Sequence, residues 1–274
     1  MVEIACRLCH APQSRGPRPQ VAERMGFDMK RWVLLGMIWA VLALGAWAAE
    51  SGPTPLPGSA VEVGVAALER GHFATALRAW KQAADAGNPK AQANVGYMYE
   101  RGFGVPQSYV EALRWYRMAA AGGAAEGMYN IGTLYYYGYG VERNPREAAN
   151  WFRQAAKKQL PEAQYLLALM YSEGEGVPRS AQEALRWWVA AAKQGHLSSQ
   201  LMAAHTYLSG DATRGEPDLL KAFVWGEIAA ARGNQDASLV RDYASYQMKE
   251  DAVAAARQAA KVCQDSQYAR CPAW

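Results

Sequence analysis

The stretch AQANVGYMYERGFGVPQSYVEALRWYRMAAAGGAAE, residues 91–126, decides the fold because it recurs along the chain. Similar stretches begin at Gly127 and Ala163, which gives a period of 36 residues. A fixed period of about 20–50 residues indicates a stacked array of structural repeats. Three tryptophans keep this period without a gap: Trp115, Trp151 and Trp187.

Each unit predicts two short helices. In the first half, apolar residues at helical spacing form one stripe, and a glycine suited to the left-handed position after a helix follows it. The second half opens with the pattern of a capping box. Two such helices cannot bury their apolar faces alone, so neighbouring units must stack. The helix-ending glycines are Gly102, Gly138 and Gly174, and the capping pairs are Ser108 with Glu111, Asn144 with Glu147, and Ser180 with Glu183.

Glycines also occur inside the first helices, at Gly96 and Gly132. Glycine in a helix costs about 1 kcal/mol relative to alanine. We therefore expect the backbone of a neighbouring helix to approach closely at these two positions.

The shared pattern is A-x-x-x-(L/V/I)-(G/A)-x-x-Y-x-x-G-x-G-V, followed by (S/N)-x-x-E-A-x-x-W-(Y/F/W)-x-x-A-A. It resembles the Sel-1-like repeat, a relative of the tetratricopeptide repeat, over roughly residues 60–236. The resemblance implies an all-α fold, a right-handed α/α superhelix (solenoid) of helix pairs. It also implies an adaptor or scaffold for other proteins, and it implies no chemistry.

The repeat register divides the chain into a capping unit, four repeats and a C-terminal part. The fourth repeat is divergent, because Trp225 follows Trp187 by 38 residues and its loop lacks the G-x-G-V pattern. The last part is expected to form a further helical pair that caps the array, with a short tail. The expected boundaries are 59–90 for a tetratricopeptide-like capping unit, 91–126, 127–162 and 163–198 for regular repeats, 199–236 for the divergent repeat, and 237–274 for the C-terminal part.

Residues 29–48 have the pattern of a secretory signal peptide: Lys30 and Arg31, an apolar run, then Ala46-Trp47-Ala48. The alternative is an uncleaved anchor, since the apolar stretch up to Ala49 is barely long enough to span a bilayer. Both readings place the repeats outside the cytoplasm of a bacterium, either periplasmic or secreted, or anchored in the inner membrane. The translation of the preceding leader, 1–28, is in doubt, because Met25 or Met29 is an alternative initiator that would leave the stretch before it untranslated. A Pro-rich linker, 49–58, follows the signal.

Charge and motifs predict no chemistry. Residues 1–48 hold six basic and three acidic residues, which leaves 23 basic and 22 acidic residues in the remainder, a net charge of +1. This nearly balanced charge does not indicate a surface that binds nucleic acid. Standard catalytic and phosphate-binding motifs are absent. The run Cys6–His10 matches a haem-attachment pattern, but it lies on the cytoplasmic side of the signal and is interpreted as a chance match. We expect no catalytic residue, no metal site and no cofactor.

Eight aromatic residues recur in register and are predicted to be core: Trp115, Trp151, Trp187, Trp225, Tyr99, Tyr135, Tyr171 and Tyr207. Beside this stripe, the first helices carry further residues that repeat packing alone does not dictate. In the family that the chain resembles, first helices line the concave face. We expect these residues to line a groove for an extended or helical segment of a partner, and the alternative is ordinary packing between adjacent first helices. The candidate groove residues are Asn94, Tyr97, Tyr129, Asn130, Tyr136, Tyr165, Leu169 and His205.

Cys263 and Cys271 are the only cysteines after the export signal, and export places them in an oxidising compartment. Eight residues of continuous helix would separate them by about 12 Å, whereas a disulfide needs Cα atoms within about 7 Å. We therefore predict a disulfide, with the last helix ending near Gln264.

The leading interpretation is an exported, non-enzymatic repeat adaptor that binds a partner protein or peptide on its concave face. The alternative is a structural or assembly scaffold of an envelope complex. A hydrolytic enzyme is a third class, because cysteine-rich relatives have been linked to β-lactam hydrolysis. Those relatives carry cysteine pairs in every repeat, and the repeats of this chain carry none. No nucleic acid is expected as a partner, and a membrane only if the signal stays uncleaved.

Overall fold

The computed structural model describes residues 59–271, which form twelve α-helices and no strand. The leader, the predicted signal segment, the linker and the last three residues lie outside the described residues. In chain order the helices are α1 Ala60–Glu69, α2 Phe73–Asp85, α3 Pro89–Arg101, α4 Tyr109–Ala121, α5 Ala125–Tyr137, α6 Pro145–Lys157, α7 Pro161–Glu173, α8 Ala181–Ala192, α9 Leu197–Ser209, α10 Leu219–Ala230, α11 Gln235–Tyr246 and α12 Glu250–Asp265.

The helices form the all-α, right-handed α/α superhelix that the repeat pattern predicts. Each pair of consecutive helices from α1 to α11 packs together. The odd-numbered helices α3, α5, α7 and α9 are the first helices of the repeats, and the next even-numbered ones are the second helices. First helices of neighbouring repeats also meet directly, as α3 with α5 and α9 with α11. Gly102, Gly138, Gly174 and Gly210 end the first helices in left-handed conformation.

The second helices open differently from the expected capping boxes. Ser108 Oγ accepts from the N–H of Glu111 at 3.2 Å, as expected. The N–H of Ser108, however, donates to the carbonyl of Tyr99 at 2.9 Å and not to the glutamate side chain. The same backbone bond joins Asn144 to Tyr135, Ser180 to Tyr171, and Asp218 to Tyr207.

This backbone bond recurs at the same place near the end of each first helix of the repeats. It satisfies one of the carbonyls that a helix terminus leaves without an internal partner, and it ties each second helix to its own first helix. Among the described helices, the one complete capping box opens α1, where Ser59 and Glu62 bond each other's backbone reciprocally. The sequence analysis did not identify that box.

The buried aromatic of each second helix is not always the predicted tryptophan. Trp115 and Trp225 are buried, but Trp151 and Trp187 are only half-buried. The residues that follow them, Phe152 and Trp188, fill the core instead, and Phe152 is 1% exposed. Of the recurring tyrosines, Tyr207 is buried and the other three are half-buried. The prediction that all eight recurring aromatics are core is therefore wrong for several of them.

The glycines inside the first helices also differ from the expectation that a helix backbone would approach them. An aromatic ring comes closest to each of them. A Cβ added at Gly96 would lie 2.6 Å from the ring of Tyr116, and one added at Gly132 would lie 2.7 Å from the ring of Phe152. The ring occupies the space that a side chain would need, so burial of a large ring offsets the cost of the glycine.

The C-terminal end departs from a stacked pair. Helix α11 packs against α10 as a further first helix would, but the main neighbour of α12 is α10 rather than α11. The outer side of α11 therefore stays uncovered, with Leu239 70% and Tyr246 89% exposed. Cys263 and Cys271 form a disulfide with Cα atoms 4.2 Å apart. The turn that permits it follows α12, where the N–H of Tyr268 donates to the carbonyl of Cys263 at 2.8 Å.

Within residues 59–271, none of the helices combines the length and the apolar character needed to cross a membrane.

Candidate functional site

The first helices present equivalent side chains on one side of the superhelix. The candidate groove residues other than Tyr136 are the fifth, sixth or ninth residue after the residue that caps their helix. We call these positions in α3, α5, α7 and α9 the first-helix face. Their side chains are half-buried or exposed, except that of Ala93, which is buried. Asn94 recurs as Asn130 and Tyr129 recurs as Tyr165, but the ninth residue differs in every repeat, so packing does not dictate its type.

A cleft of about 420 Å³ opens on this face across α3, α5 and the start of α7. It brings together four of the eight residues that the sequence analysis selected: Asn94, Tyr97, Tyr129 and Asn130. The walls thus combine two phenols with two amides, which can both donate and accept hydrogen bonds. The complete lining is Ala93, Asn94, Tyr97, Glu126, Tyr129, Asn130, Leu160 and Glu162.

The two tyrosines of the cleft have different surroundings. Tyr97 is 37% exposed, and its ring meets Phe103 edge-on with centroids 6.0 Å apart. Tyr129 is half-buried, with its ring centroid 5.8 Å from that of Phe152. Burial raises the pKa of Tyr129, and the nearby negative charge of Glu162 raises it further. The phenol therefore stays protonated at neutral pH and can donate a hydrogen bond.

Four cleft residues were missed by the sequence analysis: the apolar Ala93 and Leu160, and the charged Glu126 and Glu162. The two glutamates are the ones that bear on binding. Both are exposed, and each is the second residue of its first helix. They are 36 residues apart and hold equivalent positions, which was the available signal. An acidic residue in the first turn of a helix is common because it complements the helix dipole. That general reason explains both glutamates without a cleft, so the sequence alone did not mark them as cleft residues.

Tyr136, also predicted, lies outside the cleft because it bonds to the next repeat. Its hydroxyl donates to Glu175 Oε2 at 2.7 Å, and Glu175 also forms an ion pair with Arg143. Arg143 stacks over the Tyr136 ring, 5.9 Å from its centroid. Burial first, and then the bond to Glu175, raise the pKa of Tyr136. Tyr136 therefore links the loops of two repeats.

The remaining three predicted residues lie further along the first-helix face. Tyr165 and Leu169 on α7 are half-buried, and His205 on α9 is exposed. The ring centroid of Tyr165 is 5.0 Å from that of His196. None of the three lines the cleft. The structure therefore separates the predicted groove into a cleft on α3 and α5 and a second, flatter part on α7 and α9.

The same face continues onto α11, beyond the segment that was considered from the sequence. Leu239 and Tyr243 are the fifth and ninth residues after the capping Asn234, and both are exposed. They hold the positions of Tyr129 and Tyr97 counted from the caps of α5 and α3. The two residues inserted in the divergent repeat change the spacing of equivalent positions from 36 to 38 residues, so a fixed period of 36 residues does not reveal this equivalence.

The lining of the cleft determines which groups it can present to a ligand. Its eight lining residues include no histidine, cysteine, serine or lysine. Throughout residues 59–271, His, Cys, Asp and Glu side chains form no group of three that could hold a metal ion. What the cleft offers is ring surface, amides and two carboxylates.

These features define an α/α repeat protein with a cleft on its first helices. The chain belongs to the Sel1 repeat family: the family model matches residues 89–123, 125–160, 161–196 and 197–234. Proteins with this repeat generally bind other proteins and are typically non-catalytic. No curated protein sequence matches the chain.

Solved structures of bacterial proteins resemble it. The Sel1 repeat protein from Oxalobacter formigenes is 25% identical, with a TM-score of 0.62, over 74% of this chain and 84% of that one. A second is c5321, a protective antigen present in uropathogenic Escherichia coli strains that displays an SLR fold. It is 23% identical, with a TM-score of 0.45, over 76% of this chain and 55% of that one.

Proposed function

We propose that the protein is an exported adaptor whose first-helix face holds a segment of a partner protein or peptide. It acts by binding, without catalytic activity of its own and without a cofactor. The observation that carries the proposal is the cleft, which collects Asn94, Tyr97, Tyr129 and Asn130 from two repeats. Neighbouring repeats pack without any need for the tyrosine at position 97, since Thr133, Leu169 and His205 stand at the same position in the other repeats.

The physical basis is that of a peptide-binding groove. Tyrosine gives a large contact area with a polar tip, and hot spots of interfaces are enriched in such aromatics. Asparagine amides can pair with the backbone of an extended segment, which has free N–H and C=O groups along its length. The continuation of the face to α11 provides room for a segment longer than the cleft alone.

The location proposed for this function is the periplasm or the exterior of a bacterium. The support is the order of basic, apolar and A-x-A residues over 29–48. An inner-membrane anchor formed by the same segment would also hold the repeats outside the cytoplasm.

Partner capture by the full-length chain tests the proposal. The chain, with an affinity tag at its C-terminus, is expressed in the source bacterium, cross-linked in the envelope and purified. We expect a partner in defined stoichiometry with the wild type, and at least about tenfold less of it with the Asn94→Ala/Tyr97→Ala variant, because truncated hot spots cost about 2 kcal/mol or more.

The matched control removes apolar surface from the opposite side. Val110 and Met118 on α4 are exposed and lie on a second helix, so Val110→Ala/Met118→Ala should retain the partner. Equal capture by the cleft variant and the wild type would overturn the proposal. Capture of several partners that survive the cleft substitutions would instead favour an assembly scaffold.

A further inference from the structure

Charge is divided between the first and the second helices. The first helices α3, α5, α7 and α9 carry two Lys and Arg residues, both on α3, and four glutamates, a net charge of −2. The second helices α4, α6, α8 and α10 carry seven Lys and Arg residues and four glutamates, a net charge of +3. Since residues 49–274 have a net charge of only +1, the division results from placement and not from composition.

The carboxylates of the cleft have no cation of their own. Glu126 and Glu162 are exposed, and within residues 59–271 neither forms an ion pair. On the second helices the situation is different: Glu111 pairs with Arg114 at 3.3 Å, and Glu183 pairs with Arg186 at 3.5 Å. A carboxylate without an internal partner is available to a cation from outside.

Glu162 also lies where two hollows adjoin. Besides the cleft, it lines a second hollow of about 370 Å³ with His196 and the turn that precedes α9. A segment that runs from one hollow to the next must therefore pass this carboxylate. Glu126 holds the equivalent position one repeat earlier, so the path meets two negative charges in succession.

The tyrosines of the cleft favour the same kind of ligand. The face of a tyrosine ring attracts ammonium and guanidinium groups within about 6 Å of its centroid. Tyr97 and Tyr129 line the cleft together with the two carboxylates. Rings and carboxylates in one cleft thus select a cation and repel a phosphate or a carboxylate.

We propose that the segment held in the cleft is basic: an extended peptide with Lys or Arg at two positions, one facing Glu126 and the other facing Glu162. The two glutamates lie on successive first helices, α5 and α7, so the two basic residues stand at separate positions along the segment. This inference rests on the proposed function, because it specifies the chemistry of the partner of the same cleft.

Selection from a displayed library of random peptides against the purified full-length chain tests the inference. We expect the enriched peptides to carry Lys or Arg at two separate positions. Their affinity should fall by about five- to tenfold for the Glu126→Gln/Glu162→Gln variant, since each exposed ion pair is worth up to about a factor of five. It should also weaken as the salt concentration rises.

The control carries the same change of charge on the other face. Glu111→Gln/Glu147→Gln removes two carboxylates from second helices and should leave the affinity of the selected peptides unchanged. Helicity and melting temperature of both double variants show that each is folded. Equal losses for the two variants would overturn the inference, because the attraction would then follow net charge and not the cleft.

Two further outcomes separate this inference from the proposed function. If the enriched peptides are neutral or acidic and lose binding with Asn94→Ala/Tyr97→Ala, the cleft binds peptides but its basic specificity is refuted. If the enriched peptides bind that variant as well as the wild type, the cleft is not the binding site, and both the proposed function and the inference are refuted.

Discussion

The ring of Phe152 on α6 lies against Gly132 on α5, so closely that a Cβ at Gly132 would be 2.7 Å from Cδ1 of the ring. The same relationship joins Gly96 to Tyr116, and Gly64 of the capping unit to Trp80. In the capping unit the contact is accompanied by a hydrogen bond from the Trp80 indole to the carbonyl of Val61 at 3.0 Å. A glycine that receives a buried ring is therefore the device that holds each of these helix pairs together.

The first prediction follows from this contact. Phe152→Ala should destabilise the array by about 3–5 kcal/mol, because it removes a fully buried ring and leaves a cavity. Trp151→Ala should cost clearly less, because Trp151 keeps part of its surface in water. Chemical denaturation of both variants measures the two free energies of unfolding. A larger loss for Trp151→Ala than for Phe152→Ala would contradict this assignment of the core.

A second prediction concerns the disulfide between Cys263 and Cys271. Mass spectrometry after thiol labelling of the native protein should find both cysteines unlabelled, and labelled only after reduction and unfolding. Reduction should lower the free energy of unfolding by about 2–3 kcal/mol, the chain-entropy contribution of a short loop. A Cys271→Ala variant is the control, since its stability should not respond to reductant. Labelling of both cysteines in the untreated native protein would refute the bond.

His196 gives a prediction about pH. It caps α9, where its Nδ1 accepts from the N–H of Ser199 at 3.2 Å. Burial lowers the pKa of His196 in the folded protein below its ordinary value of 6.5. The stability that the neutral ring contributes is therefore complete above pH 6.5 and is lost as the pH falls through the lower, folded pKa.

Melting temperatures over this pH range test the effect. The wild type should lose more stability on acidification than His196→Asn, because asparagine is also a good capping residue and does not titrate. Parallel curves for the two proteins would show that the ring does not titrate with unfolding.

The repeat pattern predicted the helices well, because caps and helix-ending glycines are local features. It did not decide between Trp151 and Phe152, since two adjacent aromatics differ only in the rotation of the helix against its neighbours. In the site, Asn94 and Tyr97 were found because they stand off the recurring stripe. Tyr136 was misplaced because its partner Glu175 lies 39 residues further along the chain. Such tertiary bonds leave no periodic trace.

Export is the fourth prediction. Cleavage after the Ala46-Trp47-Ala48 sequence would give a mature N-terminus at Ala49 or Glu50. N-terminal sequencing of protein from the envelope fraction measures this directly. Substitution of Ala48 by a large residue, for example Ala48→Phe, should block cleavage and leave the protein attached to the membrane. An intact Met1 in a cytosolic fraction would contradict the prediction.

The last prediction ranks the two parts of the first-helix face. The cleft collects ring, amide and carboxylate groups from two repeats around one hollow, whereas Leu169 and His205 lie outside it. Hot spots cluster where contact residues are enclosed, and flatter surroundings contribute little. We therefore expect Leu169→Ala/His205→Ala to reduce partner capture by less than about threefold, against about tenfold or more for Asn94→Ala/Tyr97→Ala.

For Tyr129 and Tyr165, the comparison uses a substitution that keeps the ring. Each is half-buried, with Tyr129 beside Phe152 and Tyr165 beside His196, so alanine would remove packing as well as contact area. Phenylalanine keeps the ring and removes only the hydroxyl. Tyr129→Phe should weaken capture, because its phenol lines the cleft, while Tyr165→Phe should not. If the ranking is reversed at both pairs, the partner binds over α7 and α9, and the cleft is a by-product of repeat packing.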